Sequence, residues 1–216
     1  WDNLSKKITQ QECSSIFELE IDLLPVLFEM KTKGVRVDVE KAHQTKKDLT
    51  KIEKLLVEEI SKETGVTVEP WVATSVAKVF DAVGISYSRT EKSGAPMFTK
   101  QSLANNSHPI AQKIIKIREI NKANTTFVDT ILQHSHNGRI HCDFHSLRSD
   151  GGGTVTGRFS SSNPNLQQIP ARDPEIKKLI RGLFIPEEGH KWGSFDYASQ
   201  EPRWLVHYCA TLTGVD

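Results

Sequence analysis

The sequence predicts an α+β chain: a helical arm over residues 1–137, then the first strands and one helix of an antiparallel sheet over 138–216. Three observations predict it. Apolar residues recur every three or four positions through most of 14–135, the spacing that lines one face of a helix. After Gly138 the period shortens to two, as in a half-buried strand. The stretch 201–210 then returns to helical composition.

Each element follows in order. SSIFELEIDLLPVLFEMKTKG carries Ile16, Leu19, Leu23, Leu27 and Met30 at helical spacing, with Gly34 placed to end the helix and Pro25 to kink it. VRVD is a short extended reset. Asp38 then caps a second helix over 38–63, with Leu49, Ile52, Leu56 and Ile60 as its apolar stripe. The opposite face is rich in Lys and Glu and reads as solvated. Residues 65–107 break into a helix, VATSVAKVFDAVG, a polar loop, SRTEKSGAP, and a helical turn near Thr99 to Ala104. A third long helix spans 109–133. It sets Lys113, Lys116, Arg118 and Lys122 against the single acid Glu119, which reads equally as a solvated face or a phosphate-binding edge. RIHCDFHSL alternates, with Ile140, Cys142 and Phe144 on one side and His141, Asp143 and His145 on the other. GLFIP at 182–186 and KWGSFDY at 191–197 read as two more strands across the turn EEGH. Pro202 suits the first turn of the closing helix.

Composition bounds the class. With 216 residues, 37% of them hydrophobic, and a net charge of +1, the chain reads as globular, and its charge neither shows nor excludes a basic patch. No run approaches the ~18–20 apolar residues of a membrane helix, and no signal-peptide core is present, so no membrane partner is expected. Cys13, Cys142 and Cys209 are odd in number and form no CxxC pair, which points to a reducing cytoplasm. The chain starts at Trp1 and stops at Asp216 just after a helical pattern; the expectation is a piece of a longer protein.

Among constellations, His134, His136, His141, His145 and Cys142 invite a zinc reading. However, Cys142 points away from His141 and His145 on the predicted strand, and no second Cys supports it, so these read as surface or DNA-facing histidines. DGGGT at 150–154 is a flexible turn, weak as a phosphate cradle. TGRFSSSNPNLQQIPAR, 156–172, is more informative: Arg158, Asn165, Gln167, Gln168 and Arg172 set donors of several shapes along a backbone that serines and prolines keep out of a helix. Two readings stay open. Such donors suit the nearly sequence-blind acceptors of a duplex minor groove. On composition alone they suit better a structural loop that satisfies its own backbone. In SFDYASQEPR, Asp196 closes a predicted strand and Glu201 follows in the first turn of a helix. A carboxylate held rigidly at a strand end suits a divalent metal that keeps several waters. Two-metal phosphoryl transfer, with ions about 3.5–4 Å apart, needs two such carboxylates, and only Asp196 is so placed.

In their order, TGRFSSSNPNLQQIPAR, IRGLFIP and FDYASQEPRWLVHY resemble the family A DNA polymerases, phage-type members in particular. LPVLFEMKTKGVRVD and IREINKANTTFVD fall where that family has its thumb, so the resemblance covers nearly the whole chain. It implies a thumb over 1–137 and the start of the palm over 138–216. By the same resemblance Asp196 is the first metal-binding aspartate, helped by the Tyr197 carbonyl. Glu201 packs under the incoming sugar and rejects a ribose 2′-hydroxyl, with Tyr197 beside the nucleotide and Arg203 supporting Glu201. Arg158 reaches the minor groove at the primer terminus, Asn165, Gln167, Gln168 and Arg172 line the duplex, and Lys122 and Asn124 meet the DNA backbone. The implied reaction is templated addition of deoxynucleoside triphosphates to a primer 3′-hydroxyl, with two Mg²⁺ ions in the complete enzyme, in a bacterial or phage-infected cell.

Phe159 stands where the family usually has Leu, and Pro202 where most members have an aliphatic residue. The 216 residues carry no fingers helix with its Lys and aromatic residue, and no His-Asp-Glu segment with the second aspartate. The expectation is therefore a chain inactive alone that joins a C-terminal fragment carrying fingers and the rest of the palm. The alternatives are a non-catalytic primer–template module and one half of a split polymerase.

Overall fold

Gly34 marks the point where the chain leaves its first long helix and starts to build a core. The computed structural model describes residues 1–149, 152–170 and 173–214. It forms two compact units, Trp1–Ile185 and Pro186–Asp216.

In the first unit α1 (Asp2–Gln10) precedes α2 (Ser14–Lys33), which runs through Pro25 without a break. Neither helix buries a residue. Gly34 ends α2 at φ +61°, and a Cβ there would lie 2.6 Å from the Ile140 carbonyl oxygen. Only glycine fits both that backbone and that approach. β1 (Val35–Arg36) follows, then α3 (Val39–Thr64), whose first turn is capped by Asp38 Oδ1 accepting from the Lys41 N–H at 2.9 Å.

α3 is the spine of the unit. Its far half packs with α4 (Ala73–Ala82), α5 (Lys100–Ala104) and α6 (Pro109–Lys122) around Ile60, Val76, Phe80, Leu103, Ile114 and Ile117. A small hairpin, β2 (Ser88–Arg89) with β3 (Pro96–Met97), closes that end. Its near half packs with α7 (Asp129–His134) and α8 (Pro174–Arg181) around Leu49, Ile120, Val128, Ile131, Ile140, Ile180 and Leu183. Each fully buried Ile or Leu contributes roughly 1.5–3 kcal/mol of transfer free energy.

The third helix departs from expectation. α6 does not run on to 133; residues Ala123–Val128 form a π turn before α7 resumes. On α3, Leu49 and Ile60 are buried as predicted, but Ile52 is 44% exposed. Glu53 takes that place on the inner face and accepts from Asn121 Nδ2 at 2.9 Å.

The switch to extended structure occurs at Gly138. Asn137 at φ +49° and Gly138 at φ +73° turn β4 (Ser135–His136) into β5 (Arg139–Ile140), and β5 also pairs with β1. Two adjacent left-handed residues match the tight turns that join right-twisted strands. The predicted strand at 139–147 is thus two: β5, and β6 (Asp143–His145), which pairs antiparallel with β7 (Ser160–Ser162).

Two strand expectations fail. Residues 182–186 make a single bridge, Val37 with Phe184, flanked by Asp38 N–H to Leu183 O at 2.8 Å and Ile185 N–H to Arg36 O at 3.0 Å. Pro186 has no N–H to extend it. Residues 191–197 form no strand, and all are exposed. A strand exists only through ladder partners, and among the described residues none forms a β-ladder with this segment. Asp196 therefore does not close a strand. The second unit's helix, α9 (Gln200–Thr213), does form where expected.

Candidate nucleic-acid interface

The polar stretch begins in β7 and leaves it at Asn163, whose φ of +54° turns the chain toward a short 3-10 turn, Leu166–Gln168. Asn165 caps that turn: its Oδ1 accepts from the Gln167 N–H at 3.0 Å and from Ser161 Oγ at 3.1 Å. Gln167 Nε2 donates to the Phe159 carbonyl at 3.2 Å, and the Arg158 carbonyl accepts from Thr154 Oγ1 at 2.8 Å. Asn165 and Gln167 thus serve their own loop, while the Arg158 and Gln168 side chains stand exposed. Arg172 lies outside the described residues.

The basic face of α6 resolves residue by residue. Lys113 bonds Glu63 and pairs with Glu59 at 3.1 Å; the Glu63 hydrogen bond, ahead of the Coulomb attraction, raises its pKa. Lys116 bonds Glu175, which raises its pKa likewise. Arg118 donates from Nε to the Pro70 carbonyl at 2.8 Å and from Nη1 to the Phe98 carbonyl at 2.7 Å, with its guanidinium carbon 5.7 Å from the Trp71 ring centre. Burial lowers its pKa below the ordinary guanidinium value, and guanidinium stays charged throughout the working range. Lys122 is exposed and lines a cavity of about 590 Å³ with Trp71, Lys100, Arg118 and Thr126. Asn124 is buried at 6% exposure, its Nδ2 donating to Thr50 Oγ1 at 3.1 Å.

Thr126 also lines a second hollow, with Pro164, Asn165, Leu166 and Gln168. The structure therefore brings Lys122, Asn165 and Gln168 onto one surface joined at Thr126. Sequence reasoning missed Thr126, Trp71 and Lys100. Thr126 had no detectable signal, because its place depends on the π turn.

Histidine contacts here are structural: His141 Nδ1 lies 2.8 Å from the Lys31 carbonyl, and His145 Nε2 lies 2.8 Å from Ser162 Oγ.

In the second unit Asp196, Tyr197, Arg203, Trp204 and His207 line one hollow. Ser199, left-handed at φ +52°, turns the chain into α9 and sets Glu201 in the first helical turn, where a negative charge suits the helix dipole. Asp196 offers a hard carboxylate, and Tyr197 a carbonyl, donors that fit Mg²⁺. Among the described residues no three His, Cys, Asp or Glu side chains converge to hold a metal. The donors at Asp196 fit one ion, and the described residues do not assemble a two-ion set.

The model of DNA polymerase family A matches residues 39–212. A DNA-directed DNA polymerase of Pseudomonas phage M6 is 35% identical over 94% of this chain and 32% of its own length. The thermostable DNA polymerase I of Thermus aquaticus is 34% identical over 88% of the chain and 23% of its own. Among solved structures, the polymerase domain of Pol1 from M. smegmatis, in complex with DNA primer-template and dNTP, superposes with a TM-score of 0.70 at 25% identity. It is covered over 33% of its length, with 88% of this chain aligned. The chain thus spans about a third or less of these relatives. Among the described residues no helix is long and apolar enough to cross a membrane.

Proposed function

Since the chain belongs to DNA polymerase family A, we propose that it supplies the thumb, residues 1–137, and the opening of the palm, 138–216, of a DNA-directed DNA polymerase. Primer–template DNA lies along the surface that joins Lys122 to Asn165 and Gln168 through Thr126. That continuity is the observation that carries the reading. Lys122 neutralises a backbone phosphate. Arg158 and Gln168 turn donors toward minor-groove acceptors that every correct pair presents in nearly the same places. Asn165 and Gln167 hold the loop that carries them, and Arg172 continues the same path. Asn124 acts from inside the thumb through Thr50.

Asp196 and the Tyr197 carbonyl supply oxygen donors to Mg²⁺, which in such sites stabilises charge on a transferring phosphoryl group. Glu201 excludes a ribose 2′-hydroxyl from the incoming deoxynucleoside triphosphate, Tyr197 packs beside that nucleotide, and Arg203 supports Glu201. The setting is the cytoplasm of a bacterial or phage-infected cell. The apolar residues exposed on α9, Leu205 and Leu212 among them, favour a partner fragment that carries fingers and the remaining palm.

Equilibrium titration of a fluorescent primer–template with the chain tests this reading. Affinity falls steeply with salt, and Lys122→Ala lowers the salt slope by about 1, the signature of one lost phosphate contact. Asp196→Asn leaves duplex binding intact and removes primer extension once the complementing fragment is supplied. The chain alone gives no extension. Salt-independent binding, or templated synthesis by the lone chain, overturns the corresponding part.

A further inference from the structure

Three polar contacts run along the seam between α3 and the helix opposite. Asn121 Nδ2 donates to Glu53 Oε1 at 2.9 Å, Asn124 Nδ2 donates to Thr50 Oγ1 at 3.1 Å, and Lys46 Nζ pairs with Asp129 Oδ1 at 2.6 Å. On α3 the partners, 53, 50 and 46, are three and four apart, the spacing of one α-helical face. On the other side 121, 124 and 129 are three and five apart. Five residues carry an α-helix past its own seam. The π turn takes up the extra residue: the Asp129 N–H bonds the Asn124 carbonyl, five positions back.

The added residue goes outward. Asn124 and Val128 are buried, while Thr125 and Thr126 between them are exposed. Thr125 closes its hydroxyl onto the Asn121 carbonyl at 2.9 Å. Thr126 is the residue shared by the Lys122 cavity and the Asn165–Gln168 hollow. In an unbroken helix with the same seam, the arc from Asn124 to the Asp129 position would hold one residue fewer, and Thr126 would leave that junction. Asn124 Oδ1 is meanwhile buried without a protein partner, a cost that an apolar residue avoids. The amide is explained by its contact across the seam, not by packing.

We propose that the π turn is a spacer, held in register by the positioning residues Asn124 and Asp129, that presents Thr126 where the two halves of the duplex path meet. This rests on reading that path as DNA-binding.

Deleting Thr125 from the full chain tests it. The seam residues are then spaced three and four, matching α3, and the chain folds as an unbroken helix. The deletion variant keeps its helical circular dichroism, and a double-mutant cycle returns the same Lys46–Asp129 coupling as in the wild type. Its affinity for a short primer–template falls by roughly fivefold to tenfold, the scale of one lost polar contact. Thr125→Ala, which preserves the length, stays within about twofold. Equal affinity in the deletion variant, or loss of the Lys46–Asp129 coupling, overturns the spacer alone. A wild-type chain with no affinity for the duplex removes the DNA-path reading and the spacer with it. Should the deletion variant not fold, Asn124→Ala decides: amide exchange over 124–129 quickens and duplex affinity drops together, and no change in both overturns the proposal.

Discussion

At Asp143 two donors from distant parts of the chain meet on one carboxylate. Lys31, in the last turn of α2, pairs with Oδ1, and Asn163 Nδ2 donates to Oδ2 at 2.9 Å. These contacts, the Lys31 bond first and the Asn163 bond second, hold the Asp143 pKa below the ordinary 3.8. A depressed folded-state value stabilises the fold above the unfolded one, and that stability is lost as pH falls through the folded value. The window therefore opens near pH 4 and extends downward. With the side chain 30% exposed, the contribution is about 0.5–1 kcal/mol. Asp143→Asn is expected to lower stability by that amount at pH 7 and to flatten the acid limb of a urea-midpoint titration; an unchanged acid limb removes Asp143 from the account. Cys142 makes a second expectation. It is buried, and burial raises its thiol pKa, whereas Cys13 and Cys209 are exposed. Native alkylation at pH 8, followed by mass spectrometry, should modify those two and spare Cys142 until denaturant is added. Legibility at this scale was mixed, for a physical reason. Asp38 could be read as a cap because capping is local. Asn165 could be read either as loop support or as groove donor, because one amide does either, and only its contacts with Gln167 and Ser161 show that its oxygen serves the loop.

Elements were legible where a local period decided them. α3 and α9 lie where the sequence puts them, and the change of period at Gly138 coincides with the β4–β5 turn. The π turn was not legible, since 110, 114, 117, 121, 124, 128 and 131 keep a nearly unbroken α-helical spacing. Its cause lies across the seam, in residues some seventy positions away. The segments 182–186 and 191–197 show the opposite failure: short apolar runs suit a strand, but pairing decides whether one forms. A prediction belongs to α3 as a whole. Twenty-six residues begin at one side-chain cap, Asp38 to the Lys41 N–H, and both cores pack on the same helix. Asp38→Ala should lower the stability of the unit by about 1 kcal/mol, read as a lower urea midpoint at unchanged m. A shift confined to exchange in the first turn, with no change of midpoint, would show the cap to be local only.

Across the molecule, the apolar residues divide into two populations. Most of those on α3 to α8 build the two cores, whereas α2 leaves Leu19 at 53%, Leu24 at 54% and Phe28 at 69% exposure with no residue buried. α9 in the second unit leaves Leu205 at 66% and Leu212 at 84%. Apolar helices in water gain little from propensity alone and are ordinarily stabilised by packing an apolar face. α2 is fastened at its C-terminal end, where the Lys31 carbonyl meets His141, the Lys33 carbonyl accepts from Arg139 Nε at 2.7 Å, and Lys31 pairs with Asp143. Its surface is held in place yet left open, the condition under which apolar residues drive association. The chain alone should therefore bind an apolar fluorescent dye in its native state and sediment as larger species with rising concentration. Leu24→Ser with Phe28→Ser tests the cause, because neither side chain belongs to a core. Self-association should fall while the unfolding midpoint moves by no more than the equivalent of about 0.5 kcal/mol, the usual range for surface changes. A large drop in the midpoint would mean that these side chains stabilise the unit itself, and unchanged association would move the sticky surface to α9.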